Sequence, residues 1–349
     1  MVSQIKEKYN WCVIGSGPAA VTALAKLLDR GIRGDNILWI ADHFNLGDFG
    51  TKWSEVPANT SVGIFREYLQ NSDYFQYRDF PDTLKIKQAP ENSFFTLGHI
   101  AEPLKFVVKR LRQEIPSMTA KVSELNESNG LWQIRFQANN KNRQSVLSQK
   151  VILATGSTPI EQPSALSRIS LYDALTPSTL EKLNLSGKTV AVFGGSHSAI
   201  LAVMNLMHLG ASVINVYKHP LKYAKVLPEG ILFDNTGLKG EVASWSKATL
   251  HGQNARCTRI YYQDPELSER LKTCDYVIDA IGFNPRKIAI NGTFPDHCPH
   301  TGIIAHRVYG LGIAYPEKIT GIAGNEEWNV GLKKFALFLD KVLPIWLSS

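Results

Sequence analysis

No uninterrupted apolar run in the 349-residue chain is long enough to span a bilayer, so no membrane-crossing segment is expected in it. The first residues, MVSQIKEKYNW, lack the long apolar region of a secretory leader. Cysteine is sparse and scattered, at Cys12, Cys257, Cys274 and Cys298, with no C-x-x-C pair. That pattern excludes a disulfide framework and a zinc ribbon, and it predicts a reducing, cytoplasmic compartment. The chain carries a formal net charge of +7, yet no block of five or six basic residues marks a nucleic-acid patch. The basic excess suits a polyphosphate ligand and equally an ordinary basic surface. Low-complexity tracts are also absent. What remains is an ordinary globular composition, 44% hydrophobic and 20% charged, long enough for two domains.

Two glycine-rich turns stand out. The apolar run Asn10 to Ile14 leads into Gly15-Ser16-Gly17-Pro18-Ala19-Ala20. Ala23, Leu24, Leu27 and Leu28 follow at helical spacing, and a second apolar run ends at Asp42. This is a βαβ unit with G-x-G-x-x-A at its strand-to-helix turn and an acid about twenty residues further on. Gly15 permits the tight turn, Gly17 lets a pyrophosphate approach the backbone, and Ala20 lets the helix pack closely on the strand. The helix start offers N–H groups and a positive dipole end to phosphates. Asp42 can accept hydrogen bonds from ribose hydroxyls.

The second turn, Gly194-Gly195-Ser196-His197-Ser198-Ala199, follows a strand read over 188–193 and precedes an apolar helix read over 199–209. Ser196 stands at the second glycine position, where a side chain costs some backbone approach. The next strand ends in Tyr217-Lys218-His219 and has no acid there. Lys218, helped by His219 or Lys222, can meet a 2′-phosphate, so NADPH is expected at this turn rather than NADH.

Between the turns, helical spacing runs over 102–115, and strands are read over 121–136 and 145–153 with turns at NESNG and ANNKN. The last strand continues into Val151-Ile152-Leu153-Ala154-Thr155-Gly156-Ser157. A proline-bearing stretch then crosses to the second unit, and Tyr276 to Gly282 reads as the return. The amphipathic stretch Gly331 to Leu347 is expected to pack on the first domain rather than on a membrane. Asp296-His297-Cys298-Pro299-His300, with His306, fits no zinc spacing and reads as a loop near a substrate pocket.

In this order, GSGPAA with Asp42, VILATGS, GGSHSA and VIDAIGFNP resemble the flavoproteins with two dinucleotide-binding domains, among them glutathione-reductase-like enzymes and flavin-containing monooxygenases. The resemblance covers nearly the whole chain. It implies an α/β fold of two Rossmann-like domains: an FAD domain at 1–158 and 285–349, interrupted by an NAD(P)H domain at 187–284, with a crossing linker at 159–186. It implies FAD at the first turn, with Thr155 and Gly156 nearby, and NADPH at the second. It also implies a third FAD contact at Gly324 and Asn325, where the usual acid is replaced. The disulfide reductases of this group need a paired cysteine that is missing here. DFGTKWSEVPANTSVGIFREYLQNSD instead is similar to the monooxygenases, and that match puts Trp53 against the cofactor and Asn59 near its isoalloxazine. An amide there can donate and accept without supplying a strong acid.

The F-x-G-x-x-x-H signature of those enzymes is absent, since the region reads SALSRISLYDA. Three readings therefore stand: an FAD-dependent NADPH monooxygenase acting on a small-molecule substrate, an NAD(P)H:acceptor reductase serving a quinone or a protein, and a non-catalytic nucleotide-binding module. Nothing in the sequence opposes self-association.

Overall fold

The computed structural model describes residues 5–138, 143–252 and 254–349. The first unit opens with β1 (Lys8–Ile14), α1 (Pro18–Asp29) and β2 (Ile37–Ala41). It continues through α2 (Gly98–Glu114), β3 (Ser117–Ser128), β4 (Leu131–Ala138) and β5 (Arg143–Leu153). A short ribbon strand, β6 (Ser157–Pro159), leads out of it. The second unit comprises β7 (Ser167–Arg168), β8 (Thr189–Phe193), α3 (His197–His208), β9 (Ser212–Tyr217), α4 (Gly240–Thr249), β10 (Cys257–Tyr261) and β11 (Tyr276–Asp279). The return strand β12 (Phe283–Pro285) precedes β13 (Ile303–Ala305), β14 (Val308–Gly310), the hairpin β15 (Glu317–Thr320) and β16 (Glu326–Asn329), and α5 (Leu332–Ser348).

Each unit is built on a parallel sheet whose central strand carries a glycine turn. In the first, β1 lies between β2 and β5, with Ile14 opposite both Ile40 and Leu153. Strand β3 flanks β2, and β14 flanks β5, all parallel. Beyond this parallel part, β3, β4 and β5 form an antiparallel meander. Strand β1 is buried over its last four residues, as a strand covered on both faces requires. Helix α1 has Pro18 at its start and buries Ala19 through Leu27. Helix α5 lays Phe338, Leu339, Val342, Leu343 and Trp346 into the same core, and Lys26 of α1 pairs with Asp340 of α5 at 2.8 Å. Packing on the first domain is thus where the C-terminal amphipathic face goes. No helix among the described residues is long and apolar enough to cross a membrane.

In the second unit the strand order is β10–β9–β8–β11–β7, again parallel. Within the stretch expected as the crossing linker, 159–186, Ile169, Leu171, Ala174, Leu175, Leu180 and Leu185 are buried in this unit's core. The Asn205 amide fixes the stretch by donating to the Ala174 carbonyl at 3.0 Å. The actual crossing is a two-stranded ribbon in which outgoing β6 pairs antiparallel with returning β12. The stretch read over 121–136 with a turn at NESNG forms two strands, β3 and β4, that turn within that motif at Asn129-Gly130, both in positive φ.

Candidate functional site

At the first turn, Gly15 donates to the Ile40 carbonyl at 2.8 Å, and Ala154 donates to the Ile14 carbonyl at 2.8 Å. Gly15 adopts φ +118°, and a Cβ there would lie 2.2 Å from the Ala154 carbonyl oxygen. Only glycine fits. Above Gly17 a Cβ would meet nothing within 4 Å, so the backbone faces open space where a pyrophosphate could lie. Asp42 follows β2 with its carboxylate 72% exposed, accepting at 3.1 Å from the His43 N–H.

The second turn repeats this geometry. Gly194 donates to the Val216 carbonyl at 2.8 Å, and Ala280 donates to the Phe193 carbonyl at 2.8 Å. Gly194 adopts φ +130°, with a virtual Cβ 2.3 Å from the Ala280 carbonyl oxygen. Ser196 takes the place of Gly17 at φ −96° and ψ −173°, against −70° and 174° for the glycine. Both are extended conformations that any residue adopts, so the serine brings no backbone strain. Ala199 packs as Ala20 does, fully buried. Neither α1 nor α3 has a side-chain cap or an acid in its first turn. Both helix starts therefore keep uncapped N–H groups and a positive end, which fits a phosphate at each. Ser198 lies half-buried within the first turn of α3.

His197, the first residue of α3, has both ring nitrogens buried without a hydrogen-bond partner. Burial, aided by the Lys239 ammonium, pushes its pKa down to about 4, so the ring is neutral at physiological pH. Lys218 and His219 are exposed beyond β9, and the His219 carbonyl lies 3.4 Å from a virtual Cβ on Gly195.

The two units meet around residues 48–59. Asp48 pairs with Arg286 just past the returning ribbon and with Lys52 at 3.3 Å, and it accepts from the Tyr172 hydroxyl at 3.4 Å. Burial first, and the Asp48 charge second, raise the Tyr172 phenol above its ordinary value. Arg286 also donates its backbone N–H to the Gly156 carbonyl at 2.9 Å. Trp53 packs between Tyr172 and Phe283, with ring centroids 4.8 and 6.2 Å away. Asn59 is exposed just before the helix at Val62–Gln70, and its side-chain oxygen accepts from the Thr60 hydroxyl at 3.3 Å. Thr155 sits beside buried Tyr315, whose phenol is pushed up to about 12 by burial, the Thr155 hydroxyl opposing.

Gly324 and Asn325, the expected third contact, lie in the turn of the β15–β16 hairpin. The Asn325 amide donates to Glu327 at 3.0 Å. The segment that does reach the first turn is 308–315. Strand β14 pairs with β5, Leu311 donates to the Leu153 carbonyl at 2.9 Å, and a Cβ on Gly312 would lie 2.7 Å from the Ala19 methyl. The sequence signal was VYGLGIAY, whose small residues look much like those of ITGIAGN. In the 296–300 loop the polar side chains are engaged separately. Lys287 donates to Asp296 at 2.5 Å, and His297 Nε2 lies 2.9 Å from the Pro316 carbonyl. Cys12, Cys257 and Cys274 are buried free thiols, and Cys298 is exposed.

Known proteins place this geometry. No family model matches the chain. It is 27% identical over 389 aligned positions to Monooxygenase AgnR1 of Paecilomyces divaricatus, an alignment that covers 97% of each protein. Among solved structures it resembles DfoA of Erwinia amylovora, the cadaverine monooxygenase of desferrioxamine biosynthesis, solved with FAD. That match has a TM-score of 0.67 and 13% identity and covers 99% of this chain and 95% of that one. It also resembles the bacillithiol disulfide reductase Bdr of Bacillus cereus, with a TM-score of 0.64 and 14% identity over 98% of this chain and 99% of that one. The fold is that of the two-dinucleotide-domain flavoproteins.

Proposed function

We propose that this chain, a two-dinucleotide-domain flavoprotein in fold, is an FAD-dependent NADPH oxidoreductase of the monooxygenase type acting on a small-molecule substrate. The observation that carries the reading is the pair of matching turns on two parallel sheets, each closed against the carbonyl of a crossing strand. FAD fits the first turn, with Gly15, Gly17, Pro18, Ala19 and Ala20 around the pyrophosphate and Asp42 on the ribose. NADPH fits the second, with Gly194 to Ala199 at the pyrophosphate and Lys218 and His219 at the 2′-phosphate. The alignment with a protein named a monooxygenase favours oxygen as the terminal acceptor. The chain has no C-x-x-C or C-x4-C pair, so it lacks that disulfide-exchange route within the chain.

When bound, flavin supplies a two-electron carrier that takes hydride from nicotinamide and reduces oxygen. The residues around it bind and orient. The bare starts of α1 and α3 hold phosphates, and the paired crossing ribbon fixes the two turns in one body so that the reacting rings meet in a set geometry. At the seam Asp48 is bracketed by Arg286 and Lys52, which leaves one net positive charge there, and Trp53, Tyr172 and Phe283 pack beside it. Trp53 against the cofactor and Asn59 near the ring remain the residues to examine first. The test is anaerobic NADPH added to FAD-loaded protein, followed by oxygen. The expected result is bleaching of the flavin absorbance and then rapid reoxidation by oxygen. Protein that takes up no FAD contradicts the reading, and reduction followed by fast quinone but slow oxygen reoxidation would shift it to an acceptor reductase.

A further inference from the structure

The carboxyl edge of β9 and β10 holds an aromatic and cationic group whose role is unassigned. Tyr261 lies opposite Tyr217 in the register, and Tyr262 donates its N–H to the Tyr217 carbonyl at 3.0 Å. The rings of Tyr261 and Tyr262 stand 4.9 Å apart at 69°, and these two residues are 40% and 41% exposed. Lys218 reaches over the Tyr262 ring at 6.0 Å. Beneath them Arg259 places its guanidinium 4.4 Å from the Tyr217 ring and donates from Nε to Asn215 at 3.0 Å. Asn215 is fully buried, and its amide donates to the Val192 carbonyl at 3.1 Å and the Gly194 carbonyl at 2.8 Å. A continuous chain of contacts thus runs from the tyrosine edge through Arg259 and Asn215 to the first glycine of the second turn.

Three features of this edge point to a ligand. Parallel α/β sheets bind nucleotides at the carboxyl ends of their strands, and this edge adjoins the turn: a Cβ on Gly195 would lie 3.5 Å from Tyr217 Cβ. Among the described residues, neither Lys218 nor Arg259 has a carboxylate within ion-pair distance. The nearby Asp264 carboxylate instead accepts from the Glu266 N–H at 2.9 Å. One terminal nitrogen of Arg259 is buried with no partner at all. An exposed pair of aromatic rings flanked by an unpaired cation is the combination that a base and a phosphate on one molecule satisfy together.

We propose that Tyr262, beside the Lys218 already read at the 2′-phosphate, is the platform on which the adenine of the nucleotide stacks, and that Arg259 is a positioning residue holding Tyr217 and, through Asn215, the turn. This rests on the reading of the second turn as the NADPH site. Calorimetric titration of FAD-loaded protein with adenosine 2′,5′-bisphosphate and with adenosine 5′-monophosphate tests it without turnover. Tyr262→Ala weakens both compounds about tenfold, and Tyr262→Phe keeps wild-type affinity. Lys218→Ala weakens only the bisphosphate. Arg259→Met raises the NADPH KM and weakens both adenosine compounds while FAD content stays unchanged. Wild-type affinity for both compounds in Tyr262→Ala overturns the platform, and equal weakening of both in Lys218→Ala overturns the phosphate assignment. Unchanged KM and unchanged affinity for both compounds in Arg259→Met overturn the positioning role. FAD-loaded wild-type protein that binds neither compound removes the NADPH reading itself, and this proposal falls with it.

Discussion

Replacing Gly194 with alanine would place a methyl group 2.3 Å from the Ala280 carbonyl oxygen, and it would do so at φ +130°, where L side chains are strained. Ala280 cannot yield easily, because the preceding Asp279 is buried, pairs with Arg168 and accepts from the Gln162 N–H at 3.2 Å. The turn must shift instead, and a shift of about 1 Å in a hydride donor's anchor costs on the order of a hundredfold in rate. Gly194→Ala is therefore expected to keep FAD and to lose about a hundredfold in the anaerobic rate of flavin reduction, measured by stopped flow. Ser196 behaves differently. Its backbone is extended, so Ser196→Gly is expected to leave NADPH affinity within a few-fold of wild type by the same titration. Gly15, Gly194 and the residues around them were legible in the sequence, because the need for glycine at a turn is local. The tolerance of Ser196 was not, since only the backbone angles reveal that the second glycine of the pattern is conformationally optional here.

Among the elements, α3 shows how a helix start can be kept free for an anion and still carry a liability. His197 opens the helix with both ring nitrogens dry, and its pKa is held at about 4, against an ordinary value near 6.5. A histidine whose folded pKa is depressed binds its proton more readily when unfolded. Its contribution to stability is complete above pH 6.5 and is lost progressively as pH falls from 6.5 towards 4. The loss can reach about 3 kcal/mol. Thermal melts between pH 7 and pH 4 are expected to show His197→Gln losing less stability than wild type across that window, and parallel curves would contradict the assignment. The neutral ring itself was hidden in the sequence, because desolvation depends on what α3 packs against. Element order was mostly legible from the periodicity of apolar residues. GLGIAY and GIAGN both look like glycine turns after a strand, and the sequence does not say which strand pairs with β5. The turn between β3 and β4 was legible as NESNG, whose Asn129-Gly130 takes positive φ.

In the whole molecule, the two units are held together by a clasp as well as by the crossing ribbon. Glu327, on the hairpin of the first unit, is 5% exposed. It accepts from the Asn235 N–H and side-chain amide at 3.2 and 3.1 Å, and from the Thr236 hydroxyl at 3.2 Å, all in the second unit. Burial works against its charge, but these bonds together with the Asn325 amide outweigh burial and hold the carboxyl below its ordinary value. Lys334 at the start of α5 reaches across to Asp234 at 2.5 Å and to Asn235 at 2.6 Å. Glu327→Ala removes the acceptor of three donors of the second unit, two of them on half-buried Asn235, which costs about 1–3 kcal/mol. Hydrogen exchange is expected to rise over residues 230–239 in that variant while the β1–β5 core stays protected, and unchanged exchange would show that the clasp does not hold the units. A contact between residues more than 90 positions apart leaves no trace in local sequence patterns, whereas the two-domain order did, because each domain carries its own strand–turn–helix signature.

The central claim is that a nucleotide on the second turn reduces a flavin on the first. Anaerobic single-turnover mixing of NADPH with FAD-loaded protein, run beside the Gly194→Ala variant with equal FAD content, tests it most directly. The account expects complete loss of the flavin absorbance in wild type, and a rate about a hundredfold lower in the variant. Oxidised flavin that persists in the wild type, or a variant that bleaches at the wild-type rate, would contradict it.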